Sequence, residues 1–188
     1  MKKHIITIAG RPGSGKSTTA KAVAEQLGFQ HFSSGDLFRA IGRERGIDVL
    51  QTNLSAEENA EVDHIVDGRL REIGKSEDQL VVDSRLAWHW MPFSFKVFLN
   101  LDLLEAAQRI LASGDSRRLE NEKVHMDPEE YAKILQRRLD SESRRYKKLY
   151  DVDPYDTAHY DLVIDTAKHN IEQTIQQVID AYTEWREQ

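Results

Sequence analysis

Five short apolar runs separated by helical patterns predict a three-layer α/β/α fold around a five-stranded parallel sheet. The runs cover residues 5–9, 29–32, 80–83, 95–101 and 162–164. Each is nearly continuous rather than alternating, as expected of strands covered by helices on both faces. A glycine-rich turn directly follows the first run, at a strand-to-helix junction. At 188 residues, the chain suits one compact domain.

Each helix has a recognisable start or stop. The first, residues 16–27, ends at Gly28, a natural stop. A second starts at Ser34 and runs through Ile41 towards Gly46. A third begins at Ser55, which forms a capping box with Glu58, and continues to about Ile73. Residues 103–111 follow the fourth strand. Asp127 caps a long helix with Pro128 at its first position, reaching Tyr150. Residues 171–185 close the fold. Two stretches exceed a minimal strand–helix–strand repeat. Residues 34–75 place two helices between the second and third strands, and residues 112–126, "ASGDSRRLENEKVHM", are polar and turn-rich, as a flap would be.

Composition narrows the chemistry. Hydrophobic residues make up 39% and charged residues 31%, an ordinary balance for a globular enzyme. A formal net charge of −6 argues against a nucleic-acid polymer as partner, which would need excess Lys and Arg on one face. Without cysteine, neither a disulfide framework nor a thiolate metal site can form. The first apolar run is too short for a signal peptide or membrane span, so the expectation is a cytoplasmic protein with no membrane partner.

Gly10, Gly15, Lys16 and Ser17 satisfy G-x-x-x-x-G-K-[ST] between a strand and a helix. Backbone N–H groups of such a loop, including Gly13, Ser14 and Thr18, crowd around phosphate oxygens, and the helix adds its positive end. Lys16 is expected on the β- and γ-phosphates of ATP, and Ser17 on Mg²⁺. Asp83, ending the third run, is the second candidate for the metal. Arg39 and Arg85 both fall near carboxyl ends of strands, where open α/β sheets bind ligands, and their forked guanidiniums suit a second, phosphorylated ligand. Arg138 and Arg145 are seven apart and share a helix face. They either reach a transferring phosphoryl group or pair along a solvated helix, as Arg138 with Glu142. Arg109, Arg117 and Arg118 flank the flap, and either close over ATP or belong to the polar surface. Asp36 is either a first-turn acid favouring the helix dipole or, for a hydroxyl acceptor, a base. Trp88, His89 and Trp90 stack on an acceptor base or join the core.

Taken in order, Gly10 to Ser17, "SSGDLFR", "VVDSRLAW", "FLNLDLLEAAQRI", "RRLDSESRRYKKLYDVD" and "YDLVIDT" resemble the short, archaeal-like cytidylate kinases among the nucleoside monophosphate kinases. That resemblance spans about residues 5–166. It implies a P-loop kinase fold with core 1–33, 76–111 and 127–188, a monophosphate-binding insert at 34–75 and a lid at about 112–126. It further implies ATP and Mg²⁺ at residues 13–18. Asp36, Arg39 and Arg85 fall on the acceptor, and Lys16, Asp83, Arg138 and Arg145 on catalysis. CMP or dCMP is the implied acceptor, nucleotides the only expected partners and a monomer the expected state. Ser84 departs from the family's glycine. Two alternatives remain at this point: a kinase of similar fold acting on a hydroxyl, and an ATP-binding regulatory module without transfer activity.

Overall fold

A computed structural model describes residues 3–44, 61–113 and 127–188. Five parallel strands form one sheet in the order β2-β3-β1-β4-β5: β1 Ile5–Gly10, β2 Gln30–Ser33, β3 Leu80–Asp83, β4 Phe95–Asn100 and β5 Leu162–Asp165. The helices are α1 Lys16–Leu27, α2 Ser34–Glu44, α3 Glu61–Ser76, α4 Ala87–Trp90, α5 Leu103–Ala112, α6 Pro128–Tyr150 and α7 Ile171–Glu187. From β1 the chain goes to one side of the sheet for β2 and β3, then crosses to the other for β4 and β5. The reversal lies beside the carboxyl end of β1, the switch point where open sheets leave a crevice.

Alternation along β1 divides its side chains between the two faces. Ile6 and Ile8 join Val81, Val97 and Leu99 beneath α1 and α7, with Val23, Val178 and Tyr182. Ile5 joins Leu80 and Val82 on the other face, against Leu70, Ile73, Met91 and neighbours from α2 and α3. All six residues of β1 are buried, as its continuous apolar run predicts. The edge strands behave differently. Gln30 on β2 and Val163 on β5 are exposed, so the expectation of two covered faces holds for β1 and β3 and fails at the edges.

Other differences are local. β2 begins one residue later than its apolar run, and Phe29 meets Tyr182 edge-to-face instead. α3 extends three residues past Ile73, and α4 has no periodic signature because it is a single turn. A 3₁₀ turn, Thr157–His159, precedes β5. The capping box at Ser55 and Glu58, part of the 34–75 insert, most of the 112–126 flap, and Arg117 and Arg118 lie outside the described residues. No helix among the described residues is long and apolar enough to cross a membrane.

Asn170 secures α7 with a reciprocal cap: its Oδ1 accepts from the Gln173 N–H at 2.8 Å, and Gln173 Oε1 accepts from the Asn170 N–H at 3.0 Å. Replacing Asn170 with Ala should cost about 1 kcal/mol and lower Tm by roughly 2–4 °C. Urea and thermal unfolding check this; an unchanged midpoint would show that packing alone holds α7.

Candidate active site

The loop after β1 is shaped to receive an anion. Gly13 and Gly15 adopt φ of 72° and 79°, left-handed values that side chains with a Cβ avoid. A methyl group on Gly10 would sit 2.6 Å from the Leu99 carbonyl oxygen, so only glycine fits where β1 meets β4. Gly15 caps α1 without any side-chain hydrogen bond, and the first turn holds no acidic residue. Its leading N–H groups therefore keep their capacity for phosphate oxygens. Ser14 Oγ is buried without a hydrogen-bond partner among the described residues, while Ser17 is partly buried and Thr18 exposed in the first turn.

Lys16 forms an ion pair with Asp83 Oδ1 across the β1–β3 step. Asp83 is 1% exposed, and its Oδ2 is a buried oxygen with no hydrogen-bond partner among the described residues. A buried carboxylate oxygen of that kind, beside Lys16, suits a hard cation such as Mg²⁺. The loop and this oxygen have the donor chemistry that an anionic ligand and a hard cation would need.

Beyond Asp83 opens a cleft lined by all four arginines of the acceptor and catalytic groups: Arg39, Arg85, Arg138 and Arg145. Asp63, Asp67, Glu142 and Tyr146 line it too. The two sites are continuous through β3, since Ser84 and Arg85 follow Asp83 directly and Ser34 Oγ donates to the Asp83 carbonyl at 3.3 Å. Glu142, 3% exposed, sits between two of the arginines: its Oε2 is 2.7 Å from Arg85 Nε, and its Oε1 accepts from Arg138 Nε at 3.1 Å. Arg145 Nε lies 2.9 Å from Asp63 Oδ2 in a nearly buried ion pair. Arg39 Nη2 lies 2.6 Å from Asp36 Oδ1 at the exposed rim. The pairing expected along the long helix is present, on a buried rather than a solvated carboxylate. Arg138 does pair with Glu142, and that pair faces the cleft.

Burial and charge act against each other here. Burial disfavours an ionised Glu142, yet Arg85, Arg138 and the Tyr155 hydroxyl hold its carboxyl down to about 2. Burial likewise disfavours charge on Arg85, but Glu142, Tyr155 and Tyr146 together outweigh it and raise its pKa. At Asp63 the balance tips the other way: desolvation pushes its pKa up to about 6 despite Arg145. Burial raises Asp67 as well, against hydrogen bonds from the Tyr150 hydroxyl and from Trp90 Nε1 at 3.0 Å. Asp36 moves down because Arg39 donates to it, which makes it a poor proton acceptor.

Not every expected residue joins this cleft. Arg109 lies at the end of α5, 2.6 Å from Glu105 and donating to the Thr166 carbonyl at 2.9 Å, near β5. Trp88 belongs to the core: it is 7% exposed, donates to the Arg85 carbonyl at 2.9 Å and stacks on His159. Trp90 packs against Tyr150 beneath the Arg71 guanidinium, with its N–H on Asp67. Sequence reasoning missed Asp63, Asp67, Tyr146 and Tyr155, and read Glu142 only as a partner for Arg138. One signal was available: Glu142 stands four residues after Arg138 and three before Arg145, on their shared face.

Comparison with known proteins places the chain in a family. The profile of the cytidylate kinase-like family matches residues 5–168. A cytidylate kinase of Haloarcula marismortui is 39% identical over 167 residues, covering 87% of this chain and 81% of its own. One from Natronomonas pharaonis is 36% identical, with 95% and 90% covered. Another, from Methanothrix thermoacetophila, is 38% identical, with 87% and 89% covered. Among solved structures, shikimate kinase from Bacteroides thetaiotaomicron superposes with a TM-score of 0.65 at 15% identity, covering 94% of this chain and 97% of its own. A gluconokinase from Sinorhizobium meliloti gives 0.58 at 17%, with 99% and 95% covered. At such identities these structures speak for the shared P-loop kinase fold. The profile and the archaeal relatives go further: the chain belongs to the cytidylate kinase-like family and is a kinase of the nucleoside monophosphate type.

Proposed function

We propose that the protein transfers the γ-phosphoryl group of MgATP to CMP or dCMP, giving ADP and the diphosphate. The observation that carries this reading is the convergence of Arg39, Arg85, Arg138 and Arg145 on one cleft beside the Lys16–Asp83 pair. A neutral acceptor has no use for four guanidiniums, whereas a phosphate monoester does. The cytidylate kinase relatives support cytosine as its base.

In this reading the phosphate loop, residues 10–18, holds the donor's phosphates through backbone N–H groups, and Lys16 exchanges its contact with Asp83 for phosphate oxygens. Mg²⁺, held by Ser17 and Asp83, would supply positive charge to the donor's phosphates. Arg109 serves the donor side. Arg39 and Arg85 grip the acceptor phosphate, while Arg138 and Arg145 offset charge that develops on the transferring group. The acceptor already carries a nucleophilic oxyanion, because its second pKa is near 6. No side chain has to remove a proton, and alignment of two anions becomes the main task. The lowered pKa of Asp36 is consistent with this and counts against a hydroxyl acceptor.

A coupled ADP-release assay over CMP, dCMP, UMP, AMP, GMP and shikimate tests the proposal. Fast turnover of CMP and dCMP is expected; turnover of a non-phosphorylated acceptor alone would overturn it. Arg145→Ala should lower kcat by a factor of about 10² or more with the ATP KM nearly unchanged. An unaltered kcat would remove Arg145 from the chemistry.

Stability carries a further mark of the same charges. The folded pKa of Glu142 lies below its unfolded value, so its contribution is complete above about pH 4.5 and fades as pH falls towards 2. Glu142→Gln should therefore lose about 3 kcal/mol at pH 7, and the gap to the parent should narrow between pH 4.5 and 3 in urea unfolding. A gap independent of pH would contradict the ionic account.

A further inference from the structure

Arg85 and Glu142 share a third partner that belongs to none of the recognised motifs. Tyr155 lies in the segment between α6 and β5, and its hydroxyl does two things at once. It donates to Glu142 Oε2 and accepts from Arg85 Nε at 3.2 Å. A phenol can donate once, so its single proton is committed to the carboxylate. Burial and Glu142 push the hydroxyl's pKa well above its ordinary value, which keeps that proton in place.

The ring is fixed from behind. Tyr155 packs against a cluster containing Ala9, Leu86, Trp88 and Phe98, the group in which Trp88 has its structural role. Its backbone is fixed as well: the Tyr155 N–H donates to Asp153 Oδ1 at 3.0 Å, and the same oxygen accepts from Ser143 Oγ at 3.0 Å, one residue along α6 from Glu142. The segment and the helix are thus tied together on both sides of the Glu142–Arg85 contact. Arg85 is engaged through Nε, the stem-side nitrogen, by both partners. Binding there leaves the terminal fork, Nη1 and Nη2, as the edge suited to a phosphate.

We propose that Tyr155 is a positioning residue, which locks Glu142 and the Nε edge of Arg85 so that the outer edge of Arg85 is set for the acceptor's phosphate. The inference rests on the functional reading above, because it takes Arg85 as an acceptor ligand. Without the hydroxyl, Arg85 keeps its charge and its ion pair but samples more rotamers, and the lost order falls on acceptor binding.

Steady-state kinetics of Tyr155→Phe, with CMP and ATP varied separately, test this. The CMP KM should rise about tenfold, the loss of one hydrogen bond to charged partners. Both kcat and the ATP KM should stay within about twofold. In an Arg85→Ala background the same substitution should add nothing further to the CMP KM. An unchanged CMP KM, an equal rise in both KM values, or effects that multiply with Arg85→Ala would each overturn the proposal. Should Tyr155→Phe fail to fold, Asp153→Ala releases the same segment and should raise the CMP KM alone; no rise overturns the proposal too. The parent enzyme separates the two readings. If it uses CMP and Tyr155→Phe behaves like it, only the positioning role falls. If it uses a different phosphorylated acceptor, the cytosine assignment falls and the comparison moves to that acceptor's KM; if it uses only hydroxyl acceptors, both fall.

Discussion

Gathering four guanidinium groups around one small cleft is the constraint on which the rest of this structure depends. Two unit charges 4 Å apart interact by about 4 kcal/mol at an effective dielectric of 20, and burial adds a desolvation cost to each. The chain meets that repulsion with carboxylates placed one per arginine or shared between two. Glu142 serves Arg85 and Arg138, Asp63 serves Arg145, and Asp36 serves Arg39. These acids come from α2, α3 and α6, which is why the helices on one side of the sheet must close over the carboxyl end of β3.

Those pairings also stand apart from the phosphate loop. Lys16 and Asp83 stand at the phosphate loop, and the arginine–carboxylate group stands just beyond the end of β3, joined to them through Ser84, Arg85 and the contact of Ser34 with Asp83. Two anionic ligands could then approach each other from opposite sides, each met by its own set of cations. Apolar layers on both faces of β1 hold that strand rigidly, so the loop that follows it starts from a fixed point.

Much of this was legible in the sequence, and the reasons for the remainder are physical. The phosphate loop was visible because its chemistry demands contiguous residues: glycines for positive φ, a lysine and a serine at the helix start. Arg138 and Arg145 were visible through helical spacing. β1 and β3 announced themselves as buried runs, whereas β2 and β5 have similar short patterns but lie at the edges, a distinction set by strand order and absent from local pattern. Asp63 and Asp67 carry no signal of burial, since an aspartate four residues from another reads as helix surface until α6 packs over it. Tyr155 was least legible, because it sits in an aperiodic turn and acts on residues 70 and 13 positions away. The aromatic residues Trp88 and Trp90 drew attention as base-stacking candidates, yet their N–H groups go to Arg85 and Asp67, which makes them supports of the charged site.

The central claim is that the cleft recognises the acceptor chiefly through its phosphate. Equilibrium binding of CMP against cytidine, measured by calorimetry at one fixed ionic strength, bears on it most directly. Two charge-assisted contacts from Arg39 and Arg85 predict CMP tighter by at least about 100-fold, with the difference collapsing in Arg85→Ala. Equal affinities for CMP and cytidine would contradict the account.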